Sequence, residues 1–261
     1  MPIPLPPPWR ERLTGATWER EPEGESGGII HRVIAADGTR LYLKYGEGAV
    51  ADAVADEAIR LRWLQGRVAA ARLVSSVIDP DAAWLLTSTV PGKTGDAWLK
   101  QNPGLLGQVV RGFASMLIGL HALPADECPF DASAAVRLAA ARKLVAAGAV
   151  DEGDFADDHL GMSAAAVLAE AEALYGAATG RVVTHGDFSL GNILLDASGR
   201  VTGCVDVGRL GVADPYQDIA ILWENLGDFG EEAQRMFLAA VGIDEVNAER
   251  LRFHRMLDEL F

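Results

Sequence analysis

The segment Thr184-His185-Gly186-Asp187-Phe188-Ser189-Leu190-Gly191-Asn192-Ile193-Leu194-Leu195-Asp196 is the stretch on which the reading of this chain turns. Its ends, Val182-Val183-Thr184 and Ile193-Leu194-Leu195, are short apolar runs that read as two strands joined by a polar loop. Asp187 stands just after the first run and Asn192 just before the second. A further strand, Val201 to Val205, ends on Asp206. A loop after one strand and a residue closing a hairpin can bring Asp187, Asn192 and Asp206 into one cleft. A carboxylate with no metal on it can orient an alcohol and accept its proton. An amide oxygen and a second carboxylate are hard ligands that suit Mg²⁺ held against phosphate.

Working outward, the chain changes character near residues 88 to 92. Before that point it reads as strand and turn around one helix. Ile29 to Ile34 and Leu41 to Tyr45 flank Asp37-Gly38, a favoured hairpin turn. Asp52 to Leu64 carries helical spacing, with Ala58, Leu61 and Leu64 at three-residue steps. Leu73 to Ile78 and Ala82 to Val90 read as two more strands. After Pro91-Gly92 the sequence turns alanine-rich and helical. Leu106, Val109, Val110, Phe113, Met116, Leu117 and Leu120 trace the apolar stripe of a central core helix. Further helices are expected over Ala132 to Ala147, Ala164 to Tyr175, Ile219 to Leu226, Glu231 to Val241 and Ala248 to Leu257. The pattern implies an α+β protein of two lobes: 1–90, an antiparallel sheet with one helix, and 91–261, larger and mainly helical.

Two charged residues of the first lobe bear on the same chemistry. Lys44 ends the strand Leu41-Tyr42-Leu43, and Glu57 lies on the following helix. A lysine ammonium is a point charge suited to nucleotide phosphates, and a nearby glutamate would hold it in place. The turn Glu25-Ser26-Gly27-Gly28 has residues small enough to let backbone N–H groups approach phosphate. It is neither a GxGxxG nor a Walker A sequence, which argues against a P-loop NTPase.

The 261 residues include 23 basic and 37 acidic ones, a formal net charge of −14. A surface that negative repels nucleic acid and anionic lipid and favours cationic partners, besides keeping a protein dissolved. The proline-rich start lacks the apolar core of a signal peptide, and polar breaks interrupt every long apolar run, so no membrane span is expected. Cys128 and Cys204 form no CxxC motif and no disulfide framework, which fits a reduced, cytoplasmic location.

Together these residues resemble the aminoglycoside 3'-phosphotransferases, antibiotic-resistance kinases of protein-kinase-like fold. The resemblance rests on HGDFSLGN at 185–192, DVGRLGVADPYQD at 206–218, CPFD at 128–131, EAIRLRWL at 57–64 and the terminal LDELF at 257–261. It implies ATP between the lobes, with Lys44 on its phosphates, Glu57 anchoring that lysine, and the Ser26-Gly27-Gly28 turn close by. Backbone of Ser88-Thr89-Val90 would contact adenine. Asn192 and Asp206 would hold Mg²⁺, and Asp187 would act as base toward the 3'-hydroxyl of a multiply cationic aminoglycoside. That substrate would be bound by Asp157 and Asp158 from the acidic stretch Asp151 to Asp158, by Asp258, Glu259 and the carboxylate of Phe261, and by Asp228, with Arg209 a secondary contact. Where close relatives carry an Arg-Asp pair, this chain has Trp223-Glu224-Asn225, and Asp228 falls where they carry a glutamate; Glu224 is left without an evident partner.

Plainer roles compete. Asp187 and Asn192 could be a polar turn pair, Lys44 an edge-strand lysine, Glu57 a surface acid, and the acidic stretch a solvated loop. His185 reads as a structural ring that positions the Asp187 loop. Arg209 reads as a partner for local carboxylates such as Asp187, and Asp214 and Asp218 as hydrogen-bonding supports. His121 reads as a packing residue, and Cys204 as a small strand residue. Two other functions also stay open: a kinase of the same fold for another amino-alcohol or amino-sugar, and a non-catalytic binder of nucleotide or aminoglycoside.

Overall fold

The computed structural model describes residues 3–21 and 28–261. Ser26 and Gly27 of the expected phosphate turn lie outside the described residues, whereas Gly28 leads directly into a strand. The chain divides into two compact units, Met1–Pro91 with Thr202–Gly208, and Gly92–Val201 with Arg209–Phe261. Residues 202–208 thus join the first unit, which a single cut of the sequence at 90/91 could not express.

In the first unit a short helix α1 (Pro7–Arg12) precedes strands β1 (Thr17–Arg20), β2 (Ile29–Ile34) and β3 (Arg40–Glu47). Helix α2 (Ala49–Leu64) and strands β4 (Leu73–Ile78) and β5 (Ala82–Ser88) follow. The strands form an antiparallel sheet in the order β1-β2-β3-β5-β4. Sequence reading expects one helix here; α1 is the addition, a single turn or so opened by prolines that fit a first helical turn. Its Trp9 packs with Leu13, Val33, Leu41, Leu43, Tyr45, Trp84 and Leu86 on one face of the sheet. Because successive strand residues face opposite ways, Lys44 emerges on the other face. There α2 lays down its buried stripe of Val54, Glu57, Ala58, Leu61 and Leu64.

The second unit opens with strand β6 (Lys93–Thr94) and helix α3 (Gly95–Gln101), which the side chain of Thr94 caps by accepting from Ala97 N–H. Gly92-Lys93-Thr94 matches the end of a Walker A sequence, a tripeptide that the exclusion of a P-loop has to meet. Thr87 stands where the motif needs its first glycine, and Lys93 bonds Gln101, so the exclusion stands on the full motif.

Helix α4 (Leu106–His121) buries Val109, Val110, Phe113, Ala114, Leu117 and Leu120 in the main core. By length and a mean hydropathy of 1.3 the stretch Pro103–His121 could cross a membrane, a property that apolar core helices share. Its apolar side is spent on packing against Phe188, Ile193, Leu222 and Phe237, the behaviour of a core helix. Helices α5 (Ala134–Ala147) and α6 (Ala164–Leu174) come next, then strands β7 (Val182–Thr184), β8 (Ile193–Leu195), β9 (Val201–Cys204) and β10 (Gly211–Ala213). Strand β10 pairs with β7, and β8 with β6. Helices α7 (Tyr216–Gly227), α8 (Glu231–Ala240) and α9 (Ala248–Asp258) complete the unit. A second cluster joins α5, α6 and α9 through Leu138, Ala141, Val167, Phe253, Met256, Leu257 and Leu260. At about 1.5–3 kcal/mol for each large apolar side chain removed from water, this cluster fixes the C-terminal residues firmly in place.

Candidate active site

In the first unit, Lys44, Glu57 and Asp206 meet. Lys44 Nζ donates to Glu57 Oε2 at 2.7 Å and lies 3.2 Å from Asp206 Oδ1. Glu57 occupies the apolar stripe of α2 and is only 5% exposed, which excludes the surface-acid alternative. A carboxylate there is tolerable because the lysine neutralises it. Burial alone would lower the pKa of Lys44, but Glu57 and then Asp206 outweigh it and hold the ammonium above its ordinary value. Asp206 has φ 57°, a positive value seen in no other non-glycine among the described residues. Such a conformation costs on the order of 1–3 kcal/mol and persists where the surroundings enforce it, commonly at functional sites. Its side chain keeps 45% exposure, so a carboxylate oxygen remains open for a ligand. Ser88 is tied to Arg72 by backbone and hydroxyl, with Thr89 and Val90 following it in irregular backbone.

In the second unit, the loop after β7 is held from several sides. Buried Asp218 on α7 accepts from the N–H groups of His185 and Gly186, both at 2.9 Å, and lies 3.0 Å from His121 Nε2. His121 is therefore a polar partner of Asp218, a correction to its reading as a packing residue. Burial raises the Asp218 pKa, yet His121, His185 and the backbone donors bring the net value below the ordinary carboxylate range. His185 Nδ1 accepts from Asp187 N–H at 3.3 Å, the positioning role expected of that ring. Asn192 Nδ2 donates to the Asp187 carbonyl at 3.1 Å, which directs the amide oxygen away as a free acceptor end. Asn225 Oδ1 accepts from Leu190 N–H at 2.9 Å, so this position supports the same loop. Asp214 likewise supports backbone, accepting from Gly180 and Tyr216 N–H and pairing with Arg250.

The acidic stretch and the chain end form a charged neighbourhood on the same unit. Asp157 is exposed, whereas Asp158 accepts two hydrogen bonds from Arg255, at 3.0 and 3.1 Å. Arg255 also binds Glu224, so Glu224 has its partner after all. Glu259 bonds buried His159 at 2.9 Å, and Asp158 lies 3.7 Å from the same ring nitrogen. Burial raises the Glu259 pKa against the opposing pull of His159. Asp258 pairs with Arg137 at 3.3 Å and lies 3.9 Å from Arg209, with burial again raising its pKa. The expectation that Arg209 serves local acids is met at Asp258 rather than through a hydrogen bond to Asp187. The Phe261 ring faces the guanidinium groups of Arg137 and Arg209, 4.6 and 5.3 Å from its centroid. Asp228, at the C-cap of α7, is exposed.

Sequence reading missed Arg137, His159, Asn225 and Arg255. A signal existed for the first: Arg137 lies on the buried stripe Ala134, Arg137, Leu138 and Ala141 of α5, as Glu57 does on α2. A charge on an apolar stripe demands a partner.

A model of the phosphotransferase enzyme family matches residues 23–254. An aminoglycoside 3'-phosphotransferase of Escherichia coli is 41% identical over 95% of this chain and 92% of its own. The crystal structure of an aminoglycoside-3'-phosphotransferase of type VIII superposes with a TM-score of 0.87 at 34% identity, covering 97% of each chain. The aminoglycoside phosphotransferase APH(3'')-Id from Streptomyces rimosus, in complex with ADP and streptomycin, superposes with a TM-score of 0.79 at 29% identity over 93% of this chain and 92% of that one. The α+β, two-lobed kinase-like fold expected from the sequence is the fold of these proteins. By sequence and fold, the chain belongs to the aminoglycoside 3'-phosphotransferase family.

Proposed function

We propose that this protein transfers the γ-phosphoryl group of ATP to the 3'-hydroxyl of an aminoglycoside. The observation that carries the reading is the Asp187 loop. Buried Asp218, His185 and Asn192 together hold its backbone while the Asp187 side chain accepts no bond from any of them. A carboxylate so placed is free to orient an attacking hydroxyl and take its proton, and pre-set geometry is where enzymes of this kind gain most of their rate. Lys44, steadied by Glu57, offers a fixed positive charge to phosphate oxygens. Asp206 and the Asn192 amide oxygen are hard donors that fit Mg²⁺, and Lys44 marks the Asp206 carboxylate as part of a phosphate-binding set. Mg²⁺, when bound, supplies neutralisation of the charge on the phosphates.

For the antibiotic, the chain supplies Asp157, Asp158, Asp228, Asp258 and Glu259, with Phe261 beside them. Ammonium groups favour the ionised form of Asp258 and Glu259, whose carboxyls burial otherwise pushes toward protonation. Asp158 enters this set through its loop, since Arg255 already occupies its oxygens. Dependence on ATP and two free cysteines fit a cytoplasmic setting. The test is ADP release with kanamycin, a 3'-deoxy aminoglycoside and choline, with Asp187→Asn as control. Kanamycin should turn over and the other two should not, and Asp187→Asn should lose about 10²–10⁴-fold in kcat. Equal turnover of the 3'-deoxy compound would refute the 3' assignment, and preference for choline would refute the aminoglycoside reading.

A further inference from the structure

The peptide that joins Gly186 to Asp187 is held at both ends. Its N–H donates to His185 Nδ1, and its carbonyl, that of Gly186, accepts from Arg137 at 3.2 Å. Arg137 comes from α5, is only 8% exposed, and spends its other terminal nitrogen on Asp258 at 3.3 Å. The same guanidinium lies over the ring of Phe261, with Cζ 4.6 Å from its centroid, and Arg209 also faces that ring. One buried side chain thus touches the backbone immediately before the proposed base and two of the last four residues.

We propose that Arg137 is a positioning residue that couples the C-terminal end of the chain to Asp187, so that Asp258 and Phe261 set the geometry of the base as well as meeting substrate. The proposal rests on the phosphotransferase reading for its kinetic consequence and on geometry alone for the coupling. A guanidinium is suited to the task because its planar fork reaches two acceptors in fixed directions while its face takes an aromatic ring. An ammonium, a compact point charge on a flexible stem, also carries several donors, but it neither fixes their directions in a planar fork nor offers a flat face to the ring. Without the arginine, the Gly186 carbonyl and the Asp258 carboxylate lose a shared donor, and the peptide before Asp187 is anchored at its N–H alone. A displacement on the order of 1 Å at a reacting group lowers turnover by about 100-fold.

The experiment compares Arg137→Lys, Phe261→Leu and the double variant on the full chain. Phe261→Leu removes the ring but leaves Asp258 and Glu259 in place, which separates positioning from direct charge contact. Two readouts are taken: kcat and KM with kanamycin, and deuterium uptake across residues 185–187. Arg137→Lys should lower kcat by about 100-fold with a much smaller change in KM. Phe261→Leu should lower kcat less. The double variant should resemble Arg137→Lys alone, because contacts that act through one residue do not add. Both single variants should speed exchange of the Gly186 and Asp187 amides. A rise in KM with kcat preserved, effects that multiply in the double variant, or unchanged exchange in a folded Phe261→Leu protein would each overturn the proposal. Should the unaltered protein turn over no aminoglycoside, the proposed function fails, and the exchange comparison still decides the coupling. If Arg137→Lys does not fold, Phe261→Leu carries the same two readouts.

Discussion

Gly186 is the position where a single methyl group should do most damage to turnover. Its φ is 86°, and a Cβ built on it would lie 2.7 Å from both the carbonyl carbon and the Cβ of Arg209, and nearer still to that carbonyl oxygen. Ordinary carbon contacts sit near 3.5–4.0 Å, so relief requires about 1 Å of movement between two backbone segments. No rotamer change can provide it, because two of the three obstructing atoms belong to main chain. The left-handed conformation adds roughly 1–2 kcal/mol for any residue with a Cβ. Asp218 and Arg137 grip the loop on either side of this glycine, so the strain is passed to Asp187. Gly186→Ala should therefore lower kcat about 100-fold, equivalent to about 2.7 kcal/mol of transition-state stabilisation. Nucleotide affinity, which the proposed function assigns to Lys44 and Glu57, should change little. Steady-state kinetics with kanamycin and a urea melt of the same preparation give both numbers. A stable Gly186→Ala enzyme with kcat within about 3-fold of the original would show that Asp187 does not need this loop geometry.

Glu57→Gln removes the charge that steadies Lys44 and should raise the nucleotide KM roughly tenfold, the worth of a charge-assisted over a neutral hydrogen bond, leaving the antibiotic KM nearly unchanged. An unaltered nucleotide KM would detach Lys44 from phosphate binding. Glu224→Gln leaves Arg255 with Asp158 alone, and because these groups are 41% and 50% exposed the loss of stability should stay within about 1 kcal/mol by urea denaturation. A loss several times larger would mean that the cluster holds up the fold. Burial, then repulsion from Arg137 and Arg250, depresses the pKa of His254 below 6.5 despite Asp214. The unfolded chain then takes up this proton first, so stability is complete above pH 6.5 and falls as pH drops below it, by up to about 1.4 kcal/mol per pH unit. His254→Leu should flatten that fall in urea midpoints measured between pH 7.5 and 5.5. Parallel slopes for the two proteins would place the proton elsewhere.

Much of the site is legible because its residues break the pattern around them. Glu57 interrupts an apolar helical stripe, Lys44 interrupts an apolar strand, and Asp187 and Asn192 bracket a loop between two apolar runs. Period-2 alternation in β3 and the stripe of α2 suffice to put Lys44 and Glu57 on facing surfaces. The boundary at residue 91 could be read from composition, but the transfer of 202–208 to the first unit could not. It depends on Cys204 bonding to the backbone of Ala69 and Ala71, far away in sequence. Strand β10 is three residues long and reads as a continuation of its loop until β7 pairs with it.

Local spacing determined which residue types were available and on which face of each element they lie, since helix and strand periods are properties of the backbone. Tertiary packing alone decided their partners: Arg255 for Glu224, His121 for Asp218, Arg137 for Gly186 and the chain end. A long charged side chain can reach many neighbours from one backbone position. Which carboxylate or carbonyl it finds depends on how distant helices are brought together by cores such as the one shared by α5, α6 and α9.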